Sequence, residues 1–199
     1  MPVTARHAGE DDEPGWEVCR AAVQAAVEFL GERLVSAYAI GSLAHGGFSA
    51  PVSDVDVALL VDPCDQNVPG VVDDVADRAR ERIGTDLAER LSIFYSDWPT
   101  FDQPHSWARL GPIDRLDLMR HGVLVHGIDH RRRFGRQPQR AELVAATAAF
   151  LADKPLVRQE PAVLVAQGPR PLTKAVLSPV RFLYTYATGR ARKIGRAHV

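Results

Sequence analysis

Apolar residues recur every three to four positions near the start of the chain, which predicts an amphipathic helix running to about Arg33. The repeating positions are Val18, Ala22, Val23, Ala26, Phe29, Leu30 and Leu34. The short apolar runs VSAYAIGS and DVDVALLVD follow, separated by a loop rich in glycine and proline, and they predict two neighbouring strands. A second amphipathic stretch closes at Gly84, and RLSIFYS after it predicts a third strand.

The middle of the chain predicts one more helix and one more strand, and the strand patterns end there. WPTFDQPHSWARLGP is rich in proline and aromatic residues and predicts a long surface loop. IDRLDLMRHG predicts a helix closed by Gly122, and VLVHG predicts a short strand. The helical patterns after about residue 141 have no strand between them, which indicates a separate helical part.

These patterns divide the chain into four parts. We predict a disordered N-terminal segment over residues 1–14, an α/β (α+β) domain over 15–130 and a partial helical domain over 140–193. The last six residues, IGRAHV, interrupt a helix and resemble translated sequencing adapter. We therefore predict that residues 194–199 are not native and that the helical domain is incomplete.

Composition narrows the class of partner. The chain has 24 basic and 25 acidic side chains, so its overall charge does not draw it to nucleic acid or to an anionic membrane, and a small-molecule partner is favoured. Apolar runs all fall short of the roughly 20 residues that a membrane-spanning helix needs. The two cysteines, Cys19 and Cys64, indicate a reducing compartment, and we expect a cytoplasmic protein.

The run SDVDV carries the chemistry that the chain suggests most directly. Residues i and i+2 of a strand point to the same face, so Asp54 and Asp56 project together while Val55 and Val57 point into the core. Two adjacent carboxylates repel each other in a partly buried site unless a cation or several hydrogen bonds hold them. Mg²⁺ prefers such hard oxygen ligands. The alternative is a pair of solvent-facing acids at a strand end.

Gly41 and Ser42 lie where a strand ends and a helical turn begins. Free backbone N–H groups and a hydroxyl at such a corner can face a phosphate, and glycine allows the phosphate a close approach. The stretch has neither the Walker pattern nor the dinucleotide pattern G-x-G-x-x-G. It therefore predicts a different kind of phosphate site.

Gly41-Ser42, an eleven-residue gap and Asp54-Val55-Asp56-Val57 together resemble the signature of the DNA polymerase β-type nucleotidyltransferase superfamily. Further along, DRLDLMRHGVLVHG and VRFLYTYATGR are similar to segments of the streptomycin/spectinomycin adenylyltransferases. The resemblance implies a small mixed-sheet nucleotidyltransferase fold followed by a helical domain. It also implies that the C-terminus is truncated, because such enzymes continue through a phosphate-binding lysine and a further helical bundle.

The same resemblance implies an activity and roles for named residues. The activity is Mg²⁺-dependent transfer of a nucleoside monophosphate, AMP from ATP, to a hydroxyl of a small acceptor. Asp54 and Asp56 would hold the metal ions and carry catalysis. Gly41, Ser42 and Ser53 would hold the triphosphate, and Arg181 would contact it.

One position departs from the family pattern. Enzymes of this kind carry a third carboxylate on the next strand, and Ser92 stands at that position here. Asp97 has the opposite strand parity, so the general base is not identified. Two alternatives therefore stay open: a catalytically inactive nucleotide-binding module, and an adenylyltransferase antitoxin that modifies a partner protein.

The histidines and the arginine run are not assigned to the predicted site. His45, His105, His121 and His126 show no spacing that suggests a metal cluster, so surface or helix-end positions are expected for them. The run Arg131 to Arg133 is expected to be a solvated stretch between domains, which makes nucleic acid a less favoured partner.

Overall fold

The structure is a computed structural model, and it describes residues 10–98, 101, 107–133, 135–153 and 160–188. The helices in these ranges are α1 (Glu13–Leu30), α2 (Gly41–His45), α3 (Val68–Ile83), α4 (Pro112–His121), α5 (Arg140–Asp153), α6 (Pro161–Ala166) and α7 (Pro169–Thr188). The strands are β1 (Leu34–Ile40), β2 (Val55–Val61), β3 (Leu91–Asp97) and β4 (Val123–Gly127).

The four strands form one mixed sheet in the order β3-β2-β1-β4. Strand β1 runs antiparallel to both β2 and β4, whereas β2 and β3 are parallel because α3 carries the chain back between them. The predicted mixed sheet and the predicted order of its elements are thus confirmed. The first helix ends at Leu30, and a 3₁₀ turn over Gly31–Arg33 completes the span that the apolar pattern predicted.

The two faces of the sheet are covered by different helices. On one face Val55, Val57, Leu59 and Val61 belong to the core under α1 and α3, and all four are fully buried. Complete burial of a valine or leucine side chain contributes about 1.5–3 kcal/mol, so this face anchors β2 firmly. The opposite face carries a second apolar cluster that includes Leu118 of α4. The members of this cluster are Tyr38, Ile40, Ala58, Leu60, Phe101, Leu110 and Leu118.

The helical patterns after residue 140 form α5, α6 and α7, with no strand among the described residues of this part. Helices α5 and α7 pack together, and the ring centroids of Phe150 and Phe182 lie 4.4 Å apart between them. The limits predicted for the domains stay predictions, and residues 1–9 and 194–199 lie outside the described residues. Among the helices that the structure describes, none combines the length and the apolar character needed to cross a membrane.

Candidate active site

Asp54 and Asp56 lie at the start of β2, on the face of the sheet opposite α1 and α3. Asp54 immediately precedes the strand and Asp56 is its second residue. Both are half-buried, while Val55 and Val57 are fully buried on the other face. The alternation of β2 therefore directs both carboxylates to one side, as the sequence spacing predicts.

Gly41, the first residue of α2, packs directly against the Asp56 carboxylate. Its φ is +65°, a backbone conformation that side-chain-bearing residues rarely adopt. A Cβ atom built on Gly41 would lie 2.3 Å from Asp56 Oδ2. The conformation and the space both require glycine here, and the contact brings the Gly41-Ser42 corner to the aspartate pair.

Two cations from α7 hold Asp54. Nη2 of Arg170 donates a hydrogen bond to Asp54 Oδ1 at 2.5 Å, and Nζ of Lys174 donates to Oδ2. Arg170 and Lys174 are four residues apart, so both project from the same side of α7. Burial raises the pKa of Asp54, but the hydrogen bonds from Lys174 and Arg170 and the charges of those side chains outweigh it and lower the pKa below its usual value.

Replacing Lys174 by methionine is expected to lower the free energy of unfolding by about 1 kcal/mol at pH 7, because the pair is charge-assisted but partly open to water. The side chains of Lys174 and Asp54 are 37% and 24% exposed. Since the pKa of Asp54 is lowered in the folded protein, this stabilisation is fully present above the usual aspartate pKa of about 4 and is lost as the pH falls through the lower folded value. Urea unfolding of wild type and variant across this range measures the effect.

Arg78→Met is the matched control for Lys174→Met. Arg78 pairs with Glu81 three residues away on the same helix, and both side chains are well exposed. Surface pairs of this kind contribute little, so the variant is expected to unfold close to wild type at every pH. Equal urea midpoints for the Lys174 and Arg78 variants at pH 7 would show that the α7 contact does not stabilise the chain.

Ser92 lies beside Asp56 on the neighbouring strand. In the parallel pairing of β2 and β3, Asp56 is in register with Ser92, and Val61 is in register with Asp97. The place expected for a third carboxylate thus holds a hydroxyl. Asp97 is five residues further along β3, about 16 Å away at the usual rise of a strand, and is too distant to act in its place.

Two of the other predicted phosphate ligands, Ser42 and Ser53, make local hydrogen bonds. Ser53 Oγ accepts a hydrogen bond from the backbone N–H of Ser49 at 3.0 Å, and the Ser53 carbonyl accepts one from Arg90 at 2.9 Å. The Ser42 carbonyl accepts a bond from Gly47 N–H at 3.0 Å. Arg181 lies on α7, but its side chain is outside the described residues. The phosphate-binding roles of these residues stay predictions.

A cluster that sequence reasoning missed lies on the other side of Gly41. The backbone N–H of Gly41 donates to Asp117 Oδ2 at 2.8 Å, although the sequence suggested that this N–H would face a phosphate. His45 Nε2 lies 2.5 Å from Asp117 Oδ1, and the rings of His45 and His121 have centroids 4.3 Å apart. We expected no metal cluster among the histidines, yet the structure brings one ligand atom from each of His45, Asp117 and His121 within 4.8 Å of the others.

Comparison with solved structures finds a spectinomycin adenyltransferase, AAD(9), from Enterococcus faecialis with ATP and spectinomycin. The TM-score is 0.63 at 11% identity, covering 89% of this chain and 78% of that one. A toxin-antitoxin structure with AMP-PNP is also similar, at a TM-score of 0.43 and 14% identity over 67% of this chain and 96% of that one, and this weak likeness carries no argument. Protein-family models and curated proteins gave no match. The likeness to the adenyltransferase shows the fold, and the predicted nucleotidyltransferase fold is confirmed.

Proposed function

We propose that this chain, which has the nucleotidyltransferase fold, transfers a nucleoside monophosphate from a nucleoside triphosphate to a hydroxyl group of a small acceptor. One observation carries the proposal: two half-buried carboxylates, those of Asp54 and Asp56, lie at the start of the inner strand β2, beside the Gly41-Ser42 corner. ATP is the proposed donor and AMP the transferred group. The similar structure contains ATP and spectinomycin, which supports a nucleotide and a small molecule as the two substrates.

The donor set of the site fits a magnesium ion. Asp54 and Asp56 would hold it through hard carboxylate oxygens, with water and phosphate oxygens completing its shell. When bound, Mg²⁺ would neutralise charge on the reacting phosphoryl group and help to orient the acceptor oxygen. The close packing of Gly41 on Asp56 Oδ2 fixes one carboxylate against the start of α2, where the triphosphate would lie.

Arg170 and Lys174 are the basic groups that we assign to the triphosphate. They already lie at Asp54, so a nucleotide entering this site would meet a guanidinium and an ammonium at hydrogen-bond distance. Arginine and lysine bind phosphate oxygens strongly, and arginine can do so with two hydrogen bonds at once. We infer that both side chains move from Asp54 to the triphosphate when the nucleotide and its metal ion arrive, which would hold α7 over the bound substrate.

Replacing Ser92 by aspartate is expected to raise the rate of transfer about 10²-fold, the lower end of what a general base contributes. The new carboxylate would lie beside Asp56 in the register of β2 and β3, where a group can remove the acceptor proton. Pyrophosphate release at pH 7 measures the rate. Ser92→Asn is the control, because it has nearly the same size and no basic oxygen. Equal rates in the two variants would mean that proton removal does not limit transfer.

Labelled nucleotides test the proposed reaction on the full chain. With Mg²⁺ and a panel of small hydroxylated acceptors, the label of α-labelled ATP is expected to appear on one acceptor, with release of pyrophosphate. The label of γ-labelled ATP is expected to leave with the pyrophosphate. Transfer of the γ label to the acceptor would instead show phosphoryl transfer and would contradict the proposal.

A catalytically inactive nucleotide-binding module is the second candidate. The hydroxyl of Ser92 in register with Asp56 favours it, because the catalytic group expected there is missing. This candidate predicts Mg²⁺-dependent ATP binding by calorimetry, with no pyrophosphate released over the whole acceptor panel. Release of pyrophosphate with any acceptor would exclude it.

A further inference from the structure

Three side chains from two helices converge at the ends of α2 and α4. Asp117 and His121 are four residues apart on α4, so they project from the same side of that helix. His45 is the last residue of α2, and the chain turns away at Gly46, whose φ is +64°. One ligand atom from each of the three residues lies within 4.8 Å of the ligand atoms of the other two.

Two of the three side chains, those of His45 and Asp117, are largely withdrawn from solvent, whereas His121 lies at the more open end of the cluster. The side chains of His45 and Asp117 are 9% and 3% exposed. A carboxylate this deeply buried is unfavourable unless it is paired or bound to a metal ion. The hydrogen bond from Gly41 N–H to Asp117 Oδ2 satisfies one oxygen and leaves Oδ1 directed at His45 Nε2.

We propose that His45, Asp117 and His121 bind one divalent transition-metal ion of the Zn²⁺ class, at a site separate from the aspartate pair of β2. Two imidazoles and one carboxylate suit Zn²⁺ and its neighbours in the first row, whereas Mg²⁺ prefers oxygen ligands. Three protein ligands leave the fourth tetrahedral position for water or another small ligand. The i, i+4 spacing of Asp117 and His121 is one that zinc sites use on helices.

Gly41 orients this site from outside. Its N–H donates to Asp117 Oδ2, which holds the plane of the carboxylate, and Oδ1, which lies 2.5 Å from His45 Nε2, would be the oxygen available to the ion. Such outer hydrogen bonds orient metal ligands and tune their affinity. Since Gly41 also packs on Asp56, a bound ion would hold α4, α2 and the start of β2 in one arrangement.

The cysteines do not compete for such an ion near neutral pH. Burial raises the pKa of Cys19 to about 12 and that of Cys64 to about 11. Both thiols also lie inside the apolar core, where Cys19 is 0% and Cys64 6% exposed, so neither is presented to an ion in the folded protein. Zn²⁺ bound to the native chain should therefore have nitrogen and oxygen ligands.

Zinc titration of the chelator-treated full chain tests the proposal. Wild type is expected to bind one equivalent of Zn²⁺ in competition with a chromophoric chelator, and excess Mg²⁺ should not displace it. His45→Ala and His121→Ala are each expected to weaken binding at least about 10²-fold, beyond the 10- to 100-fold that loss of an outer partner typically costs. His126→Ala is the control, since His126 is an exposed histidine on β4, and it should bind as wild type.

Co²⁺ provides a readout that does not depend on the variants folding. In wild type, bound Co²⁺ is expected to show visible ligand-field bands without the charge-transfer absorption of a thiolate. Circular dichroism checks that each variant is folded. If one of the two histidine variants fails to fold, the Zn²⁺ affinity of the other tests the proposal. Absence of stoichiometric Zn²⁺ binding in wild type, wild-type affinity in a folded histidine variant, or loss of the ion in Asp54→Asn alone would each overturn the proposal. Failure of nucleotidyl transfer would leave it standing.

Discussion

Replacing Asp54 and Asp56 together by asparagine is expected to reduce transfer of label from ATP by at least about 10³-fold. The exchange keeps side-chain volume but removes two negative charges from the start of β2. A catalytic metal ion supplies several kcal/mol of transition-state stabilisation, and each 1.4 kcal/mol corresponds to about a factor of ten in rate. Losing its ligands should therefore lower the rate below detection in an assay with labelled ATP and the best acceptor.

Asp56→Asn alone is the more informative single variant. It leaves Arg170 and Lys174 on Asp54, so α7 keeps its contact with the start of β2. A loss of activity in this variant therefore reports on the carboxylate of Asp56 and not on detached α7. Asp74→Asn, on the exposed side of α3, is the matched control and should react as wild type. Undiminished transfer in the double variant would remove Asp54 and Asp56 from the site.

The sheet and the aspartate pair could be predicted because their signals are local. The alternation in DVDV predicts that Asp54 and Asp56 share a face, and the structure places Val55 and Val57 in the core on the other face. The register of β2 with β3 places Ser92 beside Asp56, and Ser92 is the position at which the family resemblance implied a third carboxylate. The shared face of the aspartates needs only short-range periodicity, whereas the assignment of Ser92 came from the family resemblance.

The contacts of α7 could not be predicted in the same way. Arg170 and Lys174 stand 116 and 120 residues after Asp54, and an arginine and a lysine four apart on a helix indicate only a basic face. Which carboxylate meets that face depends on how the helices after residue 140 dock on the sheet. Docking of this kind is decided by tertiary packing, and local periodicity in the sequence does not report on tertiary packing.

The histidine cluster also depends on tertiary packing that the sequence does not reveal, although one part of it had a local signal in the sequence. His45 and Asp117 are 72 residues apart, and the spacing of the histidines along the chain does not reveal that they meet. The spacing of Asp117 and His121 on a predicted helix was readable as two ligands on one face. The N–H of Gly41 was predictable as a donor at a helix start, but the sequence does not say that Asp117 is its acceptor.

Gly41→Ala is expected to destabilise the chain by about 2–4 kcal/mol and to remove most Mg²⁺-dependent nucleotide binding. The positive φ of +65° at Gly41 would cost alanine about 1–2 kcal/mol on its own. The added Cβ would also lie 2.3 Å from Asp56 Oδ2, so the carboxylate or the start of α2 must move. Displacements of about 1 Å in a catalytic arrangement can cost about 10²-fold in rate, and transfer should fall accordingly.

Gly84→Ala separates the cost of the positive φ from the cost of the Cβ clash with Asp56. Gly84 ends α3 at a φ of +63°, almost the value at Gly41, but a Cβ built there has no atom within 4 Å. The control therefore carries the backbone strain without the clash, and it should lose about 1–2 kcal/mol of stability while binding ATP as wild type. Urea unfolding and calorimetric titration of ATP with Mg²⁺ measure both quantities for both variants.

The difference between the two glycine variants measures how tightly Asp56 is held against α2. If the carboxylate is a positioned ligand, Gly41→Ala loses more stability than Gly84→Ala and loses nucleotide binding with it, because the same displaced oxygen causes both effects. If Gly41→Ala matches Gly84→Ala in stability and binds ATP with Mg²⁺ as wild type does, Asp56 can move aside at no cost. A carboxylate with that freedom would not fix a metal ion at the Gly41 corner, and the proposed site would have to be abandoned.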